Sequence, residues 1–278
     1  MKQLFDTSSV DCSEIITKTY STSFSLGIKL IHPKIRKSIY AIYGFVRYAD
    51  EIVDSFHDFN QEELFLEFEK NYYKSLDRKI SLNPILNSFQ FIVRKYKLEK
   101  LVEKFMKSMK ADLYKNDYSV TEDYEDYIHG SANVVGLMCL KVFVNGDLKK
   151  YNDLKFYAMS LGSAFQKVNF LRDLKDDYEI LGRSYFPNLG HGKLDIEGKQ
   201  IIILDIEEDF KNAYKGILLL PSECKLGVYV AYVYYSKLLQ KLKKKNIDSL
   251  LSERTRISNP AKISLLLKSY ISYKLNFI

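Results

Sequence analysis

The chain has 278 residues, 46% of them hydrophobic and 28% charged, and a formal net charge of +7. That length holds one large domain or two small ones, and no apolar run in it is long enough to span a bilayer. The three cysteines, Cys12, Cys139 and Cys224, are odd in number and far apart, which argues against a disulfide framework or a CxxC zinc site. A reducing, cytoplasmic setting is expected, with no secretory signal following Met1 to Asp6.

Long apolar patterns of 3.6-residue period, with only 5 prolines and 12 glycines, predict an all-helical protein. The expected helices cover 15–30, 34–56, 60–78, 84–96, 99–116, 122–145, 148–181, 204–217, 222–245 and 260–275. Turn chemistry separates them at His32-Pro33, Asn83-Pro84, Asn145-Gly146-Asp147 and Gly190-His191-Gly192 through Gly198. Pro221 suits the first turn of a helix. Segment 188–203 reads as the longest irregular piece, and no break looks like an interdomain linker, so one domain over 1–278 is expected.

A pI near 9.0 raises nucleic acid or an anionic membrane as partners. The densest basic stretch, Lys241 to Lys245, ends a predicted helix. There the helix dipole favours cations, although the same lysines would also suit a membrane surface. No nucleic-acid-binding signature accompanies them.

Two carboxylate spacings carry the chemistry. Asp50 and Asp54, and Asp173 and Asp177, each stand at i and i+4, side by side on one helix face. Gln166, Asn169, Asp173 and Asp177 lie within about 80° of one another on a helical wheel, on a segment otherwise apolar through Leu161, Ala164, Phe165, Val168 and Leu171. Tyr43, Arg47, Asp50 and Asp54 form a matching stripe among Ile39, Ile42, Phe45 and Val53. Helices apolar nearly all round are buried, and buried carboxylates need partners. One reading is ordinary ion pairs, Arg47 with Asp50 and Arg172 with Asp176. The other is a four-carboxylate box holding Mg²⁺, a hard cation that takes carboxylate and phosphate oxygens, with Arg47 and Arg172 binding phosphate directly. The four histidines, His32, His57, His129 and His191, are scattered and do not suit zinc.

These motifs, with Tyr20 to Ser25, Met109 to Asp112 leading to Tyr127, Gly130 to Met138, Gly182-Arg183-Ser184-Tyr185-Phe186-Pro187, Gly227 to Tyr235 and Arg254, resemble the squalene/phytoene synthase family. The likeness runs from about residue 17 to 265. It implies an all-α, single-domain isoprenoid synthase of the class I terpenoid type, a helical bundle around a central cavity. It implies a Mg-dependent prenyltransferase, with Mn²⁺ as an alternative ion, whose metal is held by Asp50, Asp54, Asn169, Asp173 and Asp177. Those aspartates, with Arg47 and Tyr43, would carry the catalysis. Tyr20, Ser21, Ser23, Tyr43, Arg47, Gln166, Arg172, Arg183, Tyr185, Tyr235 and Arg254 would contact diphosphate or close a flap. Phe24, Tyr43 and Tyr127 would line the cavity and steady carbocations; Ser21 and Ser23 also suit helix N-caps.

The implied reaction joins two prenyl diphosphates head to head through a cyclopropylcarbinyl diphosphate. Gly136-Leu137-Met138 and the Gly227 run look more like the phytoene subfamily, which joins two geranylgeranyl diphosphates in carotenoid biosynthesis. Squalene or dehydrosqualene synthesis from farnesyl diphosphate is the alternative, with NADPH needed only for squalene. A non-catalytic scaffold of the same fold is the distant one. A hydrocarbon product implies transient contact with the inner face of the cell membrane, with neither nucleic acid nor an obligate protein partner expected. Two departures stand out: Asn133 where many members have glycine, expected to alter the cavity, and Glu51 where they have aspartate.

Overall fold

Start signals written in the sequence set most helix boundaries of the structure, a computed structural model that describes residues 1–115, 118, 120–179, 185–186 and 194–275, the side chains of 176–179 excepted. Among the described residues there is no strand. The helices are α1 (Lys2–Tyr20), α2 (Thr22–Lys29), α3 (Pro33–Ser55), α4 (Gln61–Arg78), α5 (Pro84–Tyr96), α6 (Glu99–Ala111), α7 (Thr121–Ile128), α8 (Val134–Phe143), α9 (Leu148–Glu179), α10 (Ile196–Leu219), α11 (Ser222–Lys244), α12 (Ile247–Ser252) and α13 (Asn259–Lys274). Pro33 and Pro84 open α3 and α5, where a missing N–H costs nothing. The His32 and Asn83 side chains before them accept backbone N–H bonds from Lys34 at 3.3 Å and Ile85 at 3.0 Å.

The differences from the sequence reading have local causes. The predicted first helix, 15–30, is two: α1 begins at Lys2, and Ser21 breaks the run by accepting the Phe24 N–H at 3.2 Å as the cap of α2. The start of α1 escaped because its buried face is made of hydroxyls. Ser9, Ser13 and Thr17, four apart, are fully buried and carry no apolar signal. Ser9 and Thr17 donate to the carbonyls of Phe5 and Ser13 at 2.8 Å, and Ser13 meets Ser88 of α5 at 2.9 Å. The predicted helix 122–145 is interrupted by a π-turn, His129–Asn133, between α7 and α8. Segment 196–203 is not irregular: Asp195 accepts the Gly198 N–H at 2.7 Å and starts α10 early. The predicted helix 99–116 stops at Ala111, and the short α12 was not foreseen. The Gly190-His191-Gly192 turn lies outside the described residues.

α3 is the spine. Its Phe45 stacks on Phe89 of α5 at 3.9 Å and meets Phe68 and Tyr72 of α4 at 5.3 Å. Each such side chain, taken out of water, contributes about 1.5–3 kcal/mol. The 32-residue α9 runs beside α8, α10 and α11, and its Lys167 reaches Asp205 at 2.5 Å and Asp209 at 2.7 Å on α10. With their other faces occupied, α3 and α9 turn their polar stripes toward a common interior space.

Candidate active site

That space is a cavity of about 490 Å³. Its apolar end is lined by Ile39, Phe105, Cys139, Leu154 and Ile217 among others, and its polar end by side chains from α2, α3, α9 and α11. Of the residues singled out in the sequence, Tyr20, Ser21, Phe24, Tyr43, Arg47, Asp50, Tyr127, Gln166, Asn169, Arg172, Tyr235 and Arg254 all border it. Ser23, Asp54, Asp173 and Tyr185 do not. Arg183 and the side chain of Asp177 lie outside the described residues.

On α3 the stripe is a charge ladder. Arg47 reaches Asp50 at 2.5 Å and also pairs with Glu51, so the glutamate that departs from the family pattern fixes the guanidinium. Arg47 also lies 4.5 Å over the Tyr20 ring, and its Nε is buried with no partner among the described residues. Burial works against the charge of Arg47, but Asp50 and Glu51 outweigh it and raise its pKa. For Asp50 the balance is reversed. Its side chain keeps 35% of its surface exposed, but that surface borders the cavity rather than open solvent. Burial first, then the charge of Asp54, push its pKa up to about 7, against the pull of Arg47.

On α9, Gln166 and Asn169 border the cavity, and Asn169 Oδ1 accepts the Tyr235 hydroxyl at 3.3 Å. Burial pushes that hydroxyl up to about 12, so it stays a donor. Asp173 sits between two guanidinium groups. It is bound by Arg172 Nε at 2.8 Å and by Arg254 Nε at 2.7 Å. The ion-pair reading therefore holds for Arg47 with Asp50, whereas Arg172 takes Asp173; the Asp176 side chain is outside the described residues. Among the described residues no three carboxylate, histidine or cysteine side chains converge on one metal-binding point.

The expected donors nonetheless fit a hard divalent cation. All offer oxygen, and Asp50 and Asn169, one from each stripe, face the same cavity. Burial and then the charge of Asp54 raise the pKa of Asp50, and added positive charge beside it would offset both.

Three neighbours of the candidate site were given no role in the sequence reading. Phe165 stacks on Tyr235 at 4.0 Å and meets Phe24 at 5.9 Å, building an aromatic wall with Tyr43, whose ring is 6.0 Å from that of Phe24. Periodicity marked Phe165 only as core. Glu51 was noted for its charge but not for its hold on Arg47. Asp112, buried, receives hydroxyl bonds from Tyr127 at 2.8 Å and from Tyr118, and its charge bears on Asp50; nothing in its local pattern signals this. Tyr185, expected at the diphosphate or in a flap, is buried and stacks on Phe170 at 4.0 Å, 5.4 Å from Tyr127.

Asn133 does not border the cavity it was expected to alter. It is buried in the π-turn, where its Oδ1 accepts the Ser163 hydroxyl at 2.9 Å. Replacing Asn133 by Gly should therefore leave the cavity lining as it is, and should cost the protein about 1–2 kcal/mol from the missing bond and the freer backbone, read by denaturant unfolding; unchanged stability would contradict this placement.

The comparisons with known proteins agree with the resemblance. A family model described as squalene/phytoene synthase matches residues 17–193. The 15-cis-phytoene synthase of Synechocystis sp. is 25% identical over 281 residues, covering 90% of this chain and 81% of that protein. Phytoene synthase 1 of Arabidopsis thaliana is 24% identical, covering 93% of this chain but only 65% of its own length. A crystal structure of a dehydrosqualene synthase in complex with a ligand superposes with a TM-score of 0.84 at 21% identity, covering 97% of this chain and 98% of that one.

Proposed function

The chain belongs to the squalene/phytoene synthase family, an enzyme family that joins prenyl diphosphates head to head, and from that premise we propose that it condenses two geranylgeranyl diphosphates to phytoene. The observation that carries the chemistry is the division of one cavity into a carboxylate, amide and guanidinium end and an apolar remainder. That division matches an amphiphile with a diphosphate head and a hydrocarbon tail. The C20 substrate is favoured by relatives that are phytoene synthases. The likeness in fold to a dehydrosqualene synthase favours C15 as the second reading.

In this reading the diphosphate lies against Arg47, Arg172 and Arg254, with the unpartnered Nε of Arg47 as a ready donor. Asp50, Asp54, Asn169, Asp173 and Asp177 would hold Mg²⁺, which would supply Lewis-acid neutralisation of the leaving diphosphate. The first C–O bond breaks with its electron pair going to diphosphate oxygen. The C2–C3 double bond of the second molecule then adds to the allylic cation, and C1 of the first prenyl unit gives up a proton to the released diphosphate as the three-membered ring closes, giving the cyclopropylcarbinyl diphosphate; loss of the second diphosphate, rearrangement and loss of a second proton then yield the hydrocarbon. Phe24, Tyr43, Phe165 and Tyr235 exclude water and offer ring faces to the cation.

The test supplies C15 or C20 diphosphate with Mg²⁺, with and without NADPH, and identifies the hydrocarbon. A C40 product from C20 diphosphate is expected, independent of NADPH and abolished by EDTA. A C30 product alone would move the assignment to the second reading, and no diphosphate release from either substrate would leave only a scaffold.

A further inference from the structure

The membrane expectation rested on a hydrocarbon product and on basic charge, densest at Lys241 to Lys245, but three of the four lysines in that run have protein partners. Lys243 pairs with Glu207 at 2.8 Å and Lys245 with Glu253 at 2.6 Å, and Lys241 donates to the Arg256 carbonyl at 3.0 Å. The run closes α11, where the helix dipole favours cations. A different surface answers the chemistry better.

α13 is amphipathic in the inverted sense. Ala261 and Leu265 pack inward on the core and Ser269 is buried, while Ile263, Leu267, Ile271 and Leu275 are 55–60% exposed and Tyr270 is 43% exposed. At 100° per residue these five outward side chains and Lys274 share an arc of about 140°. From Arg254 to Ile278 there is no acidic residue, and Arg254, Arg256, Lys262, Lys268 and Lys274 are basic. An exposed apolar stripe on a purely basic helix is complementary to anionic lipid, since it can enter the headgroup boundary with its lysines at the phosphates. The helix also stands beside the polar end of the cavity. Lys262 donates to Thr22 Oγ1 at 2.5 Å, next to Ser21 of the cavity wall, and Arg254 borders the cavity itself.

We propose that the outward face of α13 is a docking surface for anionic lipid, seating the polar end of the cavity beside the bilayer that would receive its hydrocarbon product. The benefit of that placement rests on the prenyl diphosphate reading; the docking itself does not. The experiment is flotation of the full chain, without substrate, on vesicles of phosphatidylcholine alone or with phosphatidylglycerol. The chain should float only with the anionic vesicles and less as salt rises. Lys268→Ser with Lys274→Ser should weaken partitioning about 30-fold, at about fivefold per lysine. Leu267→Glu with Ile271→Glu should weaken it by at least about tenfold, while turnover of detergent-dispersed substrate stays at the parental level. If the glutamate variant fails to fold, the serine variant carries the test. The proposal falls if the parent chain does not float, or if both variants float as it does. It falls equally if the parent is a dimer that Leu267→Glu dissociates, which would assign the face to a second copy. Flotation without turnover would remove the functional reading and leave the docking surface standing.

Discussion

Asp50→Asn should lower turnover about a thousandfold and yet raise the melting temperature of the metal-free protein above pH 7. The first effect follows from removing a charge at the point where the cavity receives diphosphate, where single electrostatic groups are worth about 10²–10³ in rate. The second follows from the direction of the pKa shift. Burial and Asp54 raise the Asp50 carboxyl to about 7 from its ordinary value of 3.8. Between those values the unfolded chain has released its proton and the folded chain has kept it, so stability falls as pH rises through that window. Above 7 the penalty is complete. Asparagine keeps the shape without the charge and removes that slope. Thermal unfolding in EDTA from pH 4 to 8 measures it. The same slope in parent and variant would show that burial and Asp54 do not raise the Asp50 carboxyl.

Asp173→Asn is the instructive contrast, since equal loss of turnover should come with the opposite effect on stability. Asp173 is tied to Arg172 and Arg254, and Arg172 is largely buried at 19% side-chain exposure. Losing the carboxylate sets two guanidinium groups against each other and costs about 1–3 kcal/mol. The two stripes thus resemble each other in sequence but differ in electrostatic state.

That difference marks the limit of what the sequence disclosed. Helix boundaries at Pro33, Pro84 and Asn145-Gly146 were legible because local chemistry sets them, and so were the stripes on α3 and α9, because period alone brings Arg47 beside Asp50. Which guanidinium takes Asp173 was not legible, since Arg254 arrives from 81 residues away. The resemblance drew attention to Arg254 and Tyr235; periodicity would have left both unremarked. Phe165 and Asp112 were missed for a related reason: each looks like ordinary helix sequence until α11 or Tyr127 is packed against it. The beginning of α1 failed differently, because a hydroxyl seam packs closely without any apolar signature.

Close backbone approach is the other feature that only the tertiary structure reveals, and Gly227→Val should expose its importance. A Cβ at Gly227 would lie 2.6 Å from the Gly27 carbonyl oxygen and 2.6 Å from Ile31 Cγ1, and one at Gly27 would lie 2.9 Å from the Gly227 oxygen. The crossing of α2 and α11 is thus set by reciprocal backbone contact, and backbone cannot rotate away as a side chain can. α2 has only eight residues and begins at the Ser21 cap, so pushing it outward carries Ser21 and Phe24 away from Tyr235, now 5.7 Å from the Phe24 ring. Overpacking of this kind costs about 1–3 kcal/mol, a melting-temperature loss of roughly 2–10 °C for a chain of this size. A displacement of about 1 Å at the reacting groups costs about 10²-fold in rate. Turnover at a temperature where the variant remains folded should therefore fall far more than its folded fraction. Gly146→Ala is the control: its φ of +77° makes the change strained, but nothing lies within 4 Å of the added Cβ, so stability should drop with turnover intact. Full activity in Gly227→Val would mean that the α2–α11 crossing does not govern the geometry of the cavity.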